Sequence, residues 1–192
     1  MSASDPLALV AGTTPAVPSR NAALALGHGA PPPKKHLGFT LNGEIYAIAI
    51  EQIKEIIGFR PMTTVPMMPA YLRGIINLRG MVVPVIDLAR RFGQDPTPVG
   101  KRSCIVILEI PLYPEMPEQR HTMGLVVDMV NAVLDISPAV IEPAPSFGIN
   151  IRPDFLHGMA KIKDKFVLLL NIQRVIMLEE LNALRSLARK DV

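Results

Sequence analysis

The sequence predicts a mainly β protein: two similar small β-barrel subdomains in tandem, preceded by an unstructured tail. Three observations predict it. Short β-rich runs recur at barrel-like spacing, an Asn-Gly dipeptide separates two alternating apolar runs, and a stretch of the first half recurs in the second. The composition is globular, with 49% hydrophobic and 19% charged residues, although only six Phe, three Tyr and no Trp are present.

Residues 1–35 are rich in Ala, Pro, Gly and Ser, carry the run Pro31-Pro32-Pro33 and show no sustained period, so a disordered tail is expected. Order is expected to begin at His36. Leu37, Phe39 and Leu41 alternate, Asn42-Gly43 follows, and Tyr46, Ile48 and Ile50 alternate again. That pattern is a hairpin closed by a type I′ turn, whose two central residues need positive φ.

Further strands are expected at 81–86, 104–110, 123–127, 130–134, 159–162 and 166–170. Brief helical signals lie at 69–72 and at 87–92, the second with Asp87 as N-cap and Gly93 beyond its end. In 179–192, leucines recur every three residues, with Glu179-Glu180 early and Arg185, Arg189 and Lys190 late. An amphipathic C-terminal helix with dipole-matched charges is expected there.

Residues 72–90 align without a gap on residues 156–174. Leu72/Leu156, Gly74/Gly158, Val83/Val167 and Arg90/Arg174 are identical, the other apolar positions agree, and Asp87 faces Asn171, both good caps. Ile50-Glu51-Gln52-Ile53 likewise resembles Val127-Asp128-Met129-Val130. Subdomains at 36–98 and 99–178 follow, joined near Pro96 and Pro98.

Little in the sequence points to catalysis. The single Cys104 excludes an intramolecular disulfide and any multi-Cys zinc site. His28, His36, His121 and His157 have no metal-ligand spacing, and neither phosphate-binding glycine motif occurs. A net charge of +3 and a pI near 9.2 are too mild to dictate a partner. No apolar run is long enough to span a bilayer, and no signal peptide is recognisable, so a soluble cytoplasmic protein is expected. Small β barrels also bind nucleic acid, and Lys161, Lys163 and Lys165 alternate as if on one face of a hairpin, although only Phe166 lies beside them. Nucleic-acid binding is the alternative function.

Two sets of residues stand out. Asn77-Leu78-Arg79-Gly80 separates two apolar runs and should form a hairpin tip that displays Arg79, with Gly80 at positive φ and Glu55 as a candidate carboxylate partner. Ile50, Ile53 and Ile56 are spaced by three, which departs from strand alternation and requires a bend or bulge after Ile50. They read either as core or as an apolar groove for a partner helix.

The pattern Gly74-x-x-Asn77-Leu78-Arg79-Gly80-x-x-x-Pro84-x-x-Asp87-Leu88, preceded by Glu55-Ile56 and Val65-Pro66-x-x-Pro69, resembles the CheW family of chemotaxis coupling proteins. The resemblance extends through Gly124 to Asp128, Gly158 and Leu170-Asn171, covering about residues 36–178. It implies two five-stranded SH3-like barrels sharing a core, with strands exchanged between them. It also implies a non-catalytic adaptor, without cofactor or metal, that bridges methyl-accepting chemoreceptors to the regulatory domain of a CheA-type histidine kinase.

The implied location is cytoplasmic, recruited to membrane-associated arrays in which other CheW-like proteins are further neighbours, without insertion into the membrane. The family's functional arginine and glutamate fall on Arg79 and Glu55, in a surface that includes Asn77 and Gly80. Its receptor-facing groove falls on Leu37, Ile50, Ile53, Ile56 and Val130. The segment Pro111 to Pro117 departs from the family pattern as an elongated loop.

Overall fold

The computed structural model describes residues 31–111, 117–144, 148 and 151–176. Residues 1–30 of the expected tail, the middle of the 111–117 loop and the expected helix at 179–192 lie outside the described residues.

Strands β1 (Lys34–Leu41) and β2 (Glu44–Ala49) form the first hairpin, and a single 3-10 turn, Ile50–Gln52, leads into β3 (Ile53–Gly58). A second hairpin, β4 (Leu72–Leu78) and β5 (Met81–Asp87), runs into α1 (Leu88–Arg91). Then follow β6 (Cys104–Pro111), β7 (Arg120–Val127), β8 (Met129–Ile136) and the two-residue β9 (Ile141–Glu142). Strands β10 (Leu156–Ile162) and β11 (Lys165–Leu170) make a last hairpin before α2 (Ile172–Val175). β1 starts earlier than expected because Lys34 and Lys35 pair with Ile136 and Asp135 of β8.

The strands form two sheets, in the orders β8-β1-β2-β11-β10-β9 and β3-β6-β7-β5-β4. A division into contiguous barrels at 36–98 and 99–178 does not follow these sheets. The first hairpin joins the C-terminal barrel, where β2 runs parallel to β11, and the β6–β7 hairpin enters the other, where β7 runs parallel to β5. The exchange has a physical cause in strands that bury both faces. On β6, Val106 and Leu108 enter a core shared by both sheets, while Ile105 and Ile107 fill the interior of their own barrel. Such near-continuous apolar strands belong in the middle of a sheet, and β1 and β6 each lie between two neighbours.

The shared core joins Phe39, Tyr46 and Leu168 of one sheet to Leu108, Leu125 and Val127 of the other. Phe39, Tyr46, Phe92 and Phe155 form a chain of ring contacts with centroids 5.6 to 6.0 Å apart. Tyr46 donates to Glu44 Oε2 at 2.6 Å, and its burial drives the phenol pKa far upward.

The repeat positions are structural equivalents. Gly74 and Gly158 lie at matching bulges, where an added Cβ would come within 2.6 Å of the Thr63 and Glu142 carbonyl oxygens respectively. Asp87 and Asn171 both cap the short helices, accepting from Arg90 N and Arg174 N. The helix expected at 69–72 is a single turn, closed by Leu72 N to Pro69 O, because Leu72 enters β4 and the Tyr71 carbonyl accepts from Asp87 N.

Candidate functional site

The β4–β5 tip has the positive φ expected at Gly80, and Arg79 before it takes one as well. Arg79 and Gly80 have φ of 53° and 86°, as Asn42 and Gly43 do at 49° and 83° in the first hairpin. A non-glycine side chain at positive φ is uncommon, and a local hydrogen bond holds the turn: Gly80 N donates to Asn77 Oδ1 at 2.9 Å. The tip aims Arg79 across the sheet to β3, where Nη2 donates to Glu55 Oε2 at 3.0 Å.

The expected partner is therefore met, through one bond rather than a two-point fork. Arg79 remains 75% exposed while Glu55 is 22% exposed. A pair this open contributes about 0.2–1 kcal/mol, which is too little to explain a fixed arginine by stability alone. Its remaining guanidinium donors are available to a partner carboxylate or carbonyl.

The spacing of three in the isoleucines has two causes. The 3-10 turn Ile50–Gln52 bends the chain, and a bulge interrupts the β3–β6 register between Ile53 and Glu55. With Lys54 as the extra residue, Ile53 opposes Leu108 and Ile56 opposes Val106, both residues of the shared core. Ile53 and Ile56 thus turn to the same side. Ile53 is half-buried against that core, Ile56 is 43% exposed and Ile50 is half-buried.

Strand β8 repeats this arrangement. Val130 opposes Phe39, the register shifts, and Val133 opposes Leu37. Val130 is half-buried on the shared core, and Val133 is 48% exposed. Val133 was not among the sequence-predicted groove residues, although extending the match of Ile53 to Val130 by three residues leads from Ile56 to Val133. Leu37 requires a correction: it is 4% exposed, because its side chain faces the core that the two sheets share.

The basic face expected for nucleic acid is broken up. Lys161 opposes Phe166 on one face of the β10–β11 hairpin, Lys165 opposes Ile162 on the other, and Lys163 lies in the turn. The chain reversal at Lys163-Asp164, both at positive φ, puts the alternating lysines on different faces. Lys161 is paired with Asp164 at 3.5 Å. Among the described residues, no cluster of three or more His, Cys, Asp or Glu side chains could hold a metal ion. The Cys104 thiol is pushed up by burial, which disfavours a thiolate nucleophile, a hydrogen bond involving the Val130 backbone opposing the shift.

Residues 35–180 match the family model described as a CheW-like domain. The chemotaxis protein CheW of Klebsiella aerogenes is 29% identical over 156 residues, covering 81% of this chain and 89% of that protein. The probable chemotaxis protein CheW of Rhizobium etli is 31% identical over 137 residues, covering 71% and 83%. Among solved structures, the scaffolding protein TtCheW of Thermoanaerobacter tengcongensis superposes with a TM-score of 0.67 at 35% identity, covering 80% of this chain and 94% of that one.

Proposed function

We propose, from the premise that this chain belongs to the CheW-like family, that it is a non-catalytic chemotaxis adaptor coupling methyl-accepting receptors to a CheA-type histidine kinase. The observation that carries the reading is the Arg79–Glu55 pair: an exposed guanidinium at a hairpin tip, bonded to a more buried carboxylate on β3. The bond biases the arginine toward one orientation and lowers the side-chain entropy lost on docking by a modest amount. Arg79, Glu55, Asn77 and Gly80 make the kinase-sensitive surface in this reading. Ile50, Ile53, Ile56 and Val130 supply the apolar contact for the tip of a receptor's helical hairpin, and Val133 is added to them.

One rigid two-barrel body then carries both contacts, so a displacement at the receptor reaches the kinase without a reaction in between. Several modest contacts within an array, including those between CheW-like neighbours, raise effective concentration and make assembly cooperative. No helix among the described residues is long and apolar enough to cross a membrane, in keeping with recruitment from the cytoplasm by receptors. The test is calorimetry against the regulatory domain of the cognate kinase, with Arg79→Ala and Ile53→Asp alongside. Micromolar binding that Arg79→Ala weakens supports the reading. Absence of binding by the folded protein overturns it.

A further inference from the structure

The two barrels share one register at β3–β6 and β1–β8, and their equivalent positions differ where a cleft enters the second barrel. Glu55 opposes Ile107 in one sheet as Ala132 opposes Gly38 in the other, and each pair follows the bulge. Where Ile107 fills the interior of the first barrel, Gly38 contributes no side chain to the second. Where Glu55 ties down Arg79 at one hairpin tip, Ala132 has no carboxylate to offer the equivalent Lys163 turn.

Leu134 takes the room beside Gly38, its side chain within 3.0 Å of where a Cβ would stand, and both residues line a cleft of about 850 Å³ at the mouth of the second barrel. Ile45, Leu134, Ile162 and Val167 form its apolar floor, which continues into that barrel's interior core. Arg102, Lys163 and Lys165 also line it; all three are exposed, and none makes an ion pair with another described residue. Among the described residues, no Asp or Glu lines the cleft, and no aromatic side chain does.

From this geometry we infer that the mouth of the second barrel is a docking site for an acidic segment of a partner protein carrying a large aliphatic or aromatic anchor. Charge complementarity chooses the occupant. Three unpaired cations around an apolar recess match carboxylates that flank an inserted side chain, and they set register and on-rate while the recess supplies affinity. The absence of aromatics from the lining removes the stacking platform that a single-stranded nucleic acid uses. A concave recess also suits one inserted side chain better than the flat surface of a bilayer.

The site is distinct from the Arg79 tip, so the two can fail separately, and it adjoins the proposed receptor-facing surface at Val130, which lines both. A short fluorescein-labelled peptide in which Asp and Glu alternate with Leu and Phe is titrated against the full chain by fluorescence anisotropy. Saturable binding below about 1 mM is expected. Lys163→Glu with Lys165→Glu should weaken it at least about tenfold, and Ala132→Glu, which restores the other barrel's carboxylate at an exposed position, should do likewise. Circular dichroism of each variant shows that the fold survives, and retained kinase-domain binding shows that the Arg79 surface does.

Three results would overturn the inference. One is no saturable binding. A second is binding indifferent to these substitutions or to replacing Leu and Phe by Ser. A third is displacement of the peptide by an oligodeoxynucleotide or by phosphatidylglycerol vesicles, which would assign the cleft to those partners instead.

Discussion

Ile53 and Val130 occupy the same place on two different strands. Each stands next to a register shift, each opposes a fully buried residue (Leu108 and Phe39), and each is half-buried against the one core that both sheets share. Three residues further on, Ile56 and Val133 carry the same relation to the surface, at 43% and 48% exposure. If these four side chains form the receptor-facing apolar surface, Val133→Asp should reduce co-sedimentation with receptor-containing membranes as strongly as Ile56→Asp does. Stability should change by less than about 1 kcal/mol, since both positions are open to water. Normal receptor recruitment of folded Val133→Asp would remove β8 from the surface.

Arg79→Ala removes an exposed ion pair and leaves a non-glycine residue at φ of 53°. Urea unfolding should show a loss of no more than about 1 kcal/mol. Arg79→Gly relieves the positive φ and should be at least as stable as Arg79→Ala. Both variants should bind the kinase regulatory domain about tenfold more weakly. A stability loss above about 2 kcal/mol would make Arg79 a structural residue instead.

Asp87 and Asn171 cap equivalent helices, but their surroundings differ. Asp87 is 1% exposed and also accepts from Arg73 Nη1 at 2.8 Å, from the Thr97 hydroxyl at 2.9 Å and from Thr97 N. It thereby pins the chain that crosses from α1 towards β6. Asp87→Ala leaves Arg73 and Thr97 without this acceptor and should cost about 3–5 kcal/mol in chemical unfolding. Asn171→Ala loses only the cap, about 1 kcal/mol. Equal costs for the two would show that the Asp87 network adds nothing beyond capping.

Acidification should weaken the fold through His157. Its pKa is lowered, first by burial and then by the nearby His36. The unfolded chain therefore takes up this proton at higher pH than the folded one, so the contribution is complete above about pH 6.5 and is lost as pH falls through the depressed value. Unfolding free energy measured between pH 7.5 and 5 should decline, and His157→Gln should flatten that decline. An unchanged slope would assign the acid sensitivity to other groups.

The hairpin tips were legible in the sequence because a turn is decided locally. Gly43 and Gly80 supply the positive φ that each turn needs, and Asp87 and Asn171 cap their helices through bonds to residues three positions on. The repeat gave the equivalence of Gly74 and Gly158, though not the carbonyl oxygens that forbid a side chain there. Glu55 was a candidate partner of Arg79 as a carboxylate of the same subdomain, and the pairing itself came from the fold, which brings β3 to the β4–β5 tip.

What the tertiary structure alone decided is which strands pair. An apolar run such as 104–110 reads the same whether one face or both will be covered, and an alternating hairpin such as 37–50 fits the edge of either barrel. Exchange of β1–β2 and β6–β7 between the barrels therefore left no local mark. It buried Leu37, set Val133 opposite it and placed Gly38 and Leu134 in the lining of the second barrel's cleft. Turns and caps depend on the energies of a few neighbouring dihedrals, which the sequence carries residue by residue. Pairing and burial depend on which distant surface arrives, and that is settled only when the whole core closes.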